Sequence, residues 1–186
     1  MAKKKTQKKQ KNKKIVPPKA SISELNESRT GGQIALRGYS YQFLYSCYLI
    51  LNTVDSNTAF TLEGIEDIDT IKYINNVSIS THIQLKYSTV KQDASFMDSV
   101  LKNYLEVYLI EPNRSFKLVY DFSVTAGHLS KLFTSNLDNN SRKFWADKID
   151  SIKEDNPLWK WNNYNFDDFL SKMSFENVKK DTLSII

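Results

Sequence analysis

The hydrophobic positions of this 186-residue chain gather into well-separated stretches that predict helix and strand in turn. Residues 33–54 (QIALRGYSYQFLYSCYLILNTV) contain no proline and a single glycine. Their apolar side chains, among them Ile34, Leu36, Tyr39, Phe43, Leu44, Tyr48, Leu49, Ile50 and Leu51, lie around most of the circumference. Such length predicts a helix, and apolarity on nearly every side predicts a buried one. Gly38 costs that helix about 1 kcal/mol relative to Ala, which points to close packing against a neighbour. Asp55-Ser56-Asn57 marks a turn. Residues 60–88 (FTLEGIEDIDTIKYINNVSISTHIQLKYS) then read as two strands reversing at Asn75-Asn76, since Asn tolerates the left-handed backbone of a tight turn. In residues 93–110, Phe96, Val100, Leu101, Tyr104, Leu105 and Tyr108 recur at helical spacing. Residues 116–127 (FKLVYDFSVTAG) read as a third strand ended by Gly127. Helices are expected near 128–136, 140–153 and 166–173. The order helix, strand, strand, helix, strand, helix predicts an α/β layer around a central mixed sheet flanked by helices.

Charge changes the picture at one end only. Nine of the 26 basic residues and none of the 21 acids fall within residues 1–20, leaving 17 bases against 21 acids, a net of about −4. The net charge of +5 therefore belongs to a lysine tail, and the body is mildly acidic. Like charges repel and Pro17-Pro18 ends the run, so residues 1–20 are expected to be disordered, with one domain over 21–186. Lys3, Lys4, Lys5, Lys8, Lys9, Lys11, Lys13 and Lys14 suit an arm that neutralises nucleic-acid phosphates. They equally suit a solubilising terminus, because lysines alone read no sequence. One cysteine, Cys47, excludes an intramolecular disulfide, and two histidines leave little for a His-based metal site. The sequence has no apolar run of membrane-spanning length and no secretory signal, so a cytoplasmic protein is the expectation.

The candidate chemistry lies in residues 60–88. Acids cluster at the end of the first expected strand (Glu63, Glu66, Asp67, Asp69), and the second carries Gln84 and Lys86 around Leu85. Alternation sends Gln84 and Lys86 to one face, and Ile83, Leu85 and Tyr87 to the other. Carboxylate, amide oxygen and ammonium suit a hard divalent cation and a phosphate. Asp67 is the natural metal ligand, Gln84 a neutral oxygen ligand, and Lys86 a point charge for phosphate or water. Glu63 or Glu66 supplies a further carboxylate. Strict alternation favours Glu63, and Gly64 would permit a bulge. Gln42, polar on an apolar helix, either bonds to a nearby backbone group or faces the acids.

Taken together in order, GGQIALRGYSYQ, LEGIEDID and IQLKYS resemble the PD-(D/E)XK nuclease superfamily. More narrowly they are similar to the nuclease domain of bacterial anti-phage effectors, including double-stranded-DNA endonucleases of CBASS systems. The resemblance covers about residues 28–127, leaving a helical part at about 128–186. It implies a restriction-endonuclease-like core and an Mg²⁺- or Mn²⁺-dependent endonuclease acting on double-stranded DNA in defence. It also implies Asp67 as the metal-binding acid, Gln84 in place of the second acid, Lys86 as the motif lysine and Gln42 as an active-site helix residue. Gln84 departs from the parent pattern by removing one negative charge. Family members usually continue into a sensor or ATPase domain. A chain ending at Ile186 is then expected to depend on its own tail, on self-assembly or on a separate activating protein. The competing expectation is a non-catalytic nucleic-acid-binding or assembly module, with RNA as a further candidate substrate.

Overall fold

The computed structural model describes residues 30–63, 67–75 and 77–183. From Ala35 onward the chain forms one compact unit. Helix α1 (Thr30–Asn52) leads into three antiparallel strands, β1 (Thr58–Leu62), β2 (Ile68–Ile74) and β3 (Val77–Tyr87). A short 3-10 turn (Ala94–Phe96) and helix α2 (Met97–Ile110) cross over to β4 (Ser115–Asp121), which lies parallel to β3. That parallel pairing needs a connection of this length, because a tight turn can only reverse the chain. Helices α3 (His128–Phe133), α4 (Asn139–Asp155) and α5 (Phe166–Ser171) follow. Strand β5 (Met173–Asn177) then pairs parallel to β4, and a short α6 (Lys180–Leu183) comes last. The result is an α/β fold around a mixed open sheet in the order β1-β2-β3-β4-β5.

Alternation along the strands sorts two cores onto opposite faces. Ile68, Ile83, Leu85 and Val119 bury against Tyr41 and Tyr45 of α1, with Leu183 of α6. Phe116 and Leu118 face the other way, into a larger cluster with Leu101, Tyr104, Leu105 and Tyr108 of α2, Trp145 of α4 and Phe169 of α5. Buried polar tips find partners: Tyr41 Oη donates to the Val178 carbonyl at 2.9 Å, and Trp145 Nε1 to that of His128 at 3.2 Å. Asp138 starts α4 by accepting from the Ser141 amide, and Asn165 starts α5 by accepting from Asp168.

Several sequence expectations change here. The pair of strands over 60–88 is three strands, because the chain reverses a first time between Glu63 and Asp67. Glu63 sits in the left-handed region (φ 52°), and its amide donates to the Asp67 carbonyl at 3.0 Å. Leu62 therefore pairs with Ile68, and Asp67 leads into the second strand instead of ending the first. The second reversal falls at Asn75 (φ 49°), with pairing resuming between Ile74 and Val77. Helix α1 is not buried all round. The sheet covers the Tyr41 and Tyr45 side, while Leu36, Tyr39, Phe43, Ile50 and Leu51 stay exposed. Close packing does not account for Gly38 either: apart from its own helix, a methyl there would meet no atom of the described residues within 4 Å. The strand after α2 ends at Asp121, short of Gly127, which at φ 120° precedes α3. Residue 173 belongs to β5, a strand the hydrophobic pattern did not separate from the preceding helix.

A polar chain runs from the surface to a buried histidine. His82 on β3 is fully buried and stacks on Phe116, with ring centroids 5.9 Å apart. Its Nδ1 meets the Asp69 carboxylate, and its Nε2 accepts from Arg114 Nη1 at 2.8 Å. Arg114 in turn holds Glu111. A guanidinium has no acceptor, so Nε2 is unprotonated and Nδ1–H donates to Asp69. The contact with Asp69 is thus a hydrogen bond of a neutral imidazole. Burial pushes the His82 pKa down, further than the Asp69 carboxylate pulls it up.

Two outcomes test this packing. Trp145→Ala lowers unfolding stability by about 3–5 kcal/mol in denaturant melts, whereas Leu51→Ala on the exposed side of α1 shifts it by less than about 0.5 kcal/mol. A lowered histidine pKa stabilises the fold above the unfolded value near 6.5, and that contribution is lost as pH falls below it. Melting temperatures measured from pH 7.5 to 5 should therefore decline less steeply in His82→Gln than in the wild type.

Candidate functional site

The three elements that meet at Asp67 are fixed by features already described. The turn closed by Glu63 sets Asp67 at the foot of β2, beside the strand that carries Leu85. Tyr41 and Tyr45, buried against the sheet, dock α1 so that Gln42 on its flank reaches the same place. Gln42 Nε2 donates to Asp67 Oδ1 at 2.7 Å, and the Leu85 backbone amide donates to Oδ2 at 2.6 Å. Each carboxylate oxygen is thus oriented by one donor, from a helix on one side and a strand on the other. Burial raises the Asp67 pKa, and the nearby Glu63 charge adds to this. The Leu85 amide and the positive charge of Lys86 pull it down, without reversing the direction.

Asp67 and Gln42 open onto a cleft of about 770 Å³ lined also by Tyr39, Phe43, Ser46, Leu62 and Glu63. Gln84 and Lys86 do not line it. They share a strand face with His82, as alternation requires. The antiparallel register ends at Ile68–Ile83, so one further step sets Asp67 next to Gln84. Gln84 is only 5% exposed, and its Oε1 is buried with no hydrogen-bond partner among the described residues. An orphaned oxygen at such a position carries a desolvation penalty of about 1–3 kcal/mol. Lys86 is half-buried and makes no salt bridge among the described residues, although its charge is felt at Asp67.

Of the expected site residues, then, the fold joins Gln42 to Asp67 directly and places Glu63 on the same cleft. Gln84 and Lys86 adjoin through the strand, without a side-chain hydrogen bond to Asp67. Asp69 belongs instead to the His82 chain, because the β2–β3 register sets it directly opposite His82. Glu66 and the lysines of residues 1–20 lie outside the described residues. Tyr39, Phe43, Ser46 and Leu62 were not expected as lining. The signal available was their spacing, since residues 39, 43 and 46 follow one another at four and three positions, and 39 and 46 lie three and four positions from Gln42.

The donor set fits a small hard cation better than a soft one. Asp67 and Glu63 offer carboxylate oxygens on the cleft, and Gln84 an unsatisfied amide oxygen on the adjacent strand position, outside the cleft lining. Among the described residues no three His, Cys, Asp or Glu side chains gather to hold a metal. A cation here would retain several waters, as Mg²⁺ commonly does. Compared with known proteins, the chain matches no family model, no curated sequence and no solved structure. Among the described residues no helix is long and apolar enough to cross a membrane.

Cation binding here has a readout independent of catalysis. Millimolar Mg²⁺ or Mn²⁺ should raise the melting temperature at neutral pH, the stabilisation reaching about 2.7 kcal/mol at a hundredfold excess over Kd. The rise should shrink as pH falls toward the raised Asp67 value, because protons compete for the same oxygens. Asp67→Asn should abolish it. No shift in the wild type removes the cation site.

Proposed function

We propose that this chain is a metal-dependent nuclease that hydrolyses DNA phosphodiester bonds, built on a restriction-endonuclease-like core of the PD-(D/E)XK kind. The observation that carries the reading is the partly buried Asp67 carboxylate on the cleft, oriented by Gln42 and the Leu85 amide and close enough to Lys86 to feel its charge. The orphaned Oε1 of Gln84, on the strand position next to Asp67, is a further oxygen that a cation or a donor would satisfy. The mixed open sheet flanked by helices is of the class that the resemblance implies. Double-stranded DNA as substrate and a role in anti-phage defence rest on that resemblance alone.

Each residue has a definable part. Asp67 and Gln84 would hold the ion, with Glu63 contributing from the lip. When bound, Mg²⁺ supplies charge stabilisation at phosphorus and a more acidic water. Gln42 and the Leu85 amide keep the Asp67 carboxylate from swinging toward solvent. Lys86 brings a compact positive charge next to the carboxylate, where it neutralises a phosphate oxygen or orients the attacking water. The neutral Gln84 leaves the site one charge short of a two-acid centre, so cation affinity depends more strongly on the phosphate that the substrate supplies.

The exposed apolar side of α1 favours a second reading, an assembly module in which Leu36, Ile50 and Leu51 meet a partner protein. Plasmid DNA incubated with Mg²⁺ or Mn²⁺ separates the two. The nuclease reading expects cutting by the wild type, a loss of at least about a hundredfold in Lys86→Ala and no cutting in EDTA. Equal cutting by both proteins, or none by the wild type, would falsify it. The same digestion on RNA tests the substrate class.

A further inference from the structure

The cleft beside Asp67 contains two rings that the reaction described above leaves unused. Tyr39 and Phe43 stand four residues apart on α1 and so on the same side of the helix. They are 64% and 69% exposed, and both line the cleft with Gln42 and Asp67. Neither ring packs on another aromatic ring among the described residues, although rings elsewhere in the protein pair extensively. Leu62, also exposed, adds apolar lining. Between and beside the rings, Gln42 and Ser46 present polar groups. The lining is thus apolar on broad faces and polar at its margins, which complements a ligand of the same character.

A nucleobase is such a ligand, with two π-faces and a polar edge. Electrostatics gives a further reason to expect uncharged contacts. The body of the chain from residue 21 carries a net charge of about −4, so it offers a polyanion little general attraction. Base stacking on aromatic side chains is uncharged and indifferent to sequence. In a duplex both faces of each base are covered by neighbours, so a ring in the protein can reach one only where a base is unpaired or turned out.

We infer that Tyr39 and Phe43 form a stacking platform for unpaired bases, and that the strand presented to Asp67 is single-stranded or splayed from its duplex. This deepens the nuclease reading and rests on it. It narrows the substrate to single strands, flaps, frayed ends or duplexes opened at the cut. The aliphatic remainder of the α1 surface, at Leu36, Ile50 and Leu51, lies outside the cleft lining.

The test uses the full chain in EDTA, at raised salt so that the lysine arm is screened. Single-stranded and blunt duplex oligonucleotides carrying 2-aminopurine are titrated with the wild type, with Tyr39→Leu/Phe43→Leu and with Tyr39→Trp/Phe43→Trp. The leucine pair keeps apolar bulk without a π-face, and the tryptophan pair keeps the π-face. The platform predicts quenching of the single strand by the wild type and by the tryptophan variant. It also predicts a loss of affinity of about tenfold or more with little quenching in the leucine variant, and weak unquenched binding of the duplex by all three. Equal single-strand affinity and quenching in the leucine variant overturns the inference. So does unaltered nucleic-acid binding accompanied by a change in sedimentation, which would make the rings a protein-docking surface. With no metal present and no turnover required, the outcome is independent of cleavage. Stacking without any cutting of DNA in Mg²⁺ would retire the nuclease reading and keep the platform, while cutting that the leucine pair leaves intact would retire the platform alone.

Discussion

The two hydrogen bonds to Asp67 are the constraint on which the site depends. A carboxylate taken partly out of water is unfavourable, and here the protein offsets that cost with one donor from a helix and one from a strand. Because Gln42 and the Leu85 amide belong to different elements, the carboxylate also records how those elements dock. If α1 slid along the sheet, Gln42 would lose Oδ1. If β2 slipped one residue against β3, every side chain on the strand would change face and Leu85 would no longer meet Oδ2. The site is therefore a reporter of the fold, and the packing of Tyr41 and Tyr45 against Ile68, Ile83 and Leu85 maintains it.

Much of the architecture is legible in the hydrophobic spacing. Helix α2 is set by Val100, Leu101, Tyr104, Leu105 and Tyr108, and all five are buried. Asn75 announced its turn because few residues accept a left-handed backbone. The reversal at Glu63 was harder to read, since an acidic run fits either a solvated turn or a strand end, and alternation can be counted straight through it. The exposure of α1 was illegible for another reason. Periodicity measures how apolar a surface is, and says nothing of how much covering surface the rest of the chain can supply. Strand β5 is five residues long with mixed polarity, and only its pairing with β4 defines it.

The candidate site divides along the same line. Asp67, Gln84 and Lys86 stood out through their order and their neighbours in the sequence, and Gln42 through being polar on an apolar helix. The cleft walls did not, because Tyr39 and Phe43 look like core residues until the sheet is seen to cover the opposite side of α1. The Asp69–His82–Arg114 chain was equally hidden, since it joins residues up to 45 positions apart that no motif links. Its effect is to hold the β2–β3 register two residues from Gln84 with charged hydrogen bonds rather than apolar contacts alone.

Strand β5 has a consequence for how the protein must be made. Every residue of the candidate site lies before position 90, yet β4 acquires its second neighbour only when residues 173–177 arrive. Phe169 and Met173 lie in the same cluster as Phe116 and Leu118. During synthesis, β4 is therefore an unpaired sheet margin with greasy flanks, open to strands from other copies until residues 173–177 emerge. Completion of the sheet thus depends on a segment about ninety residues beyond the candidate site.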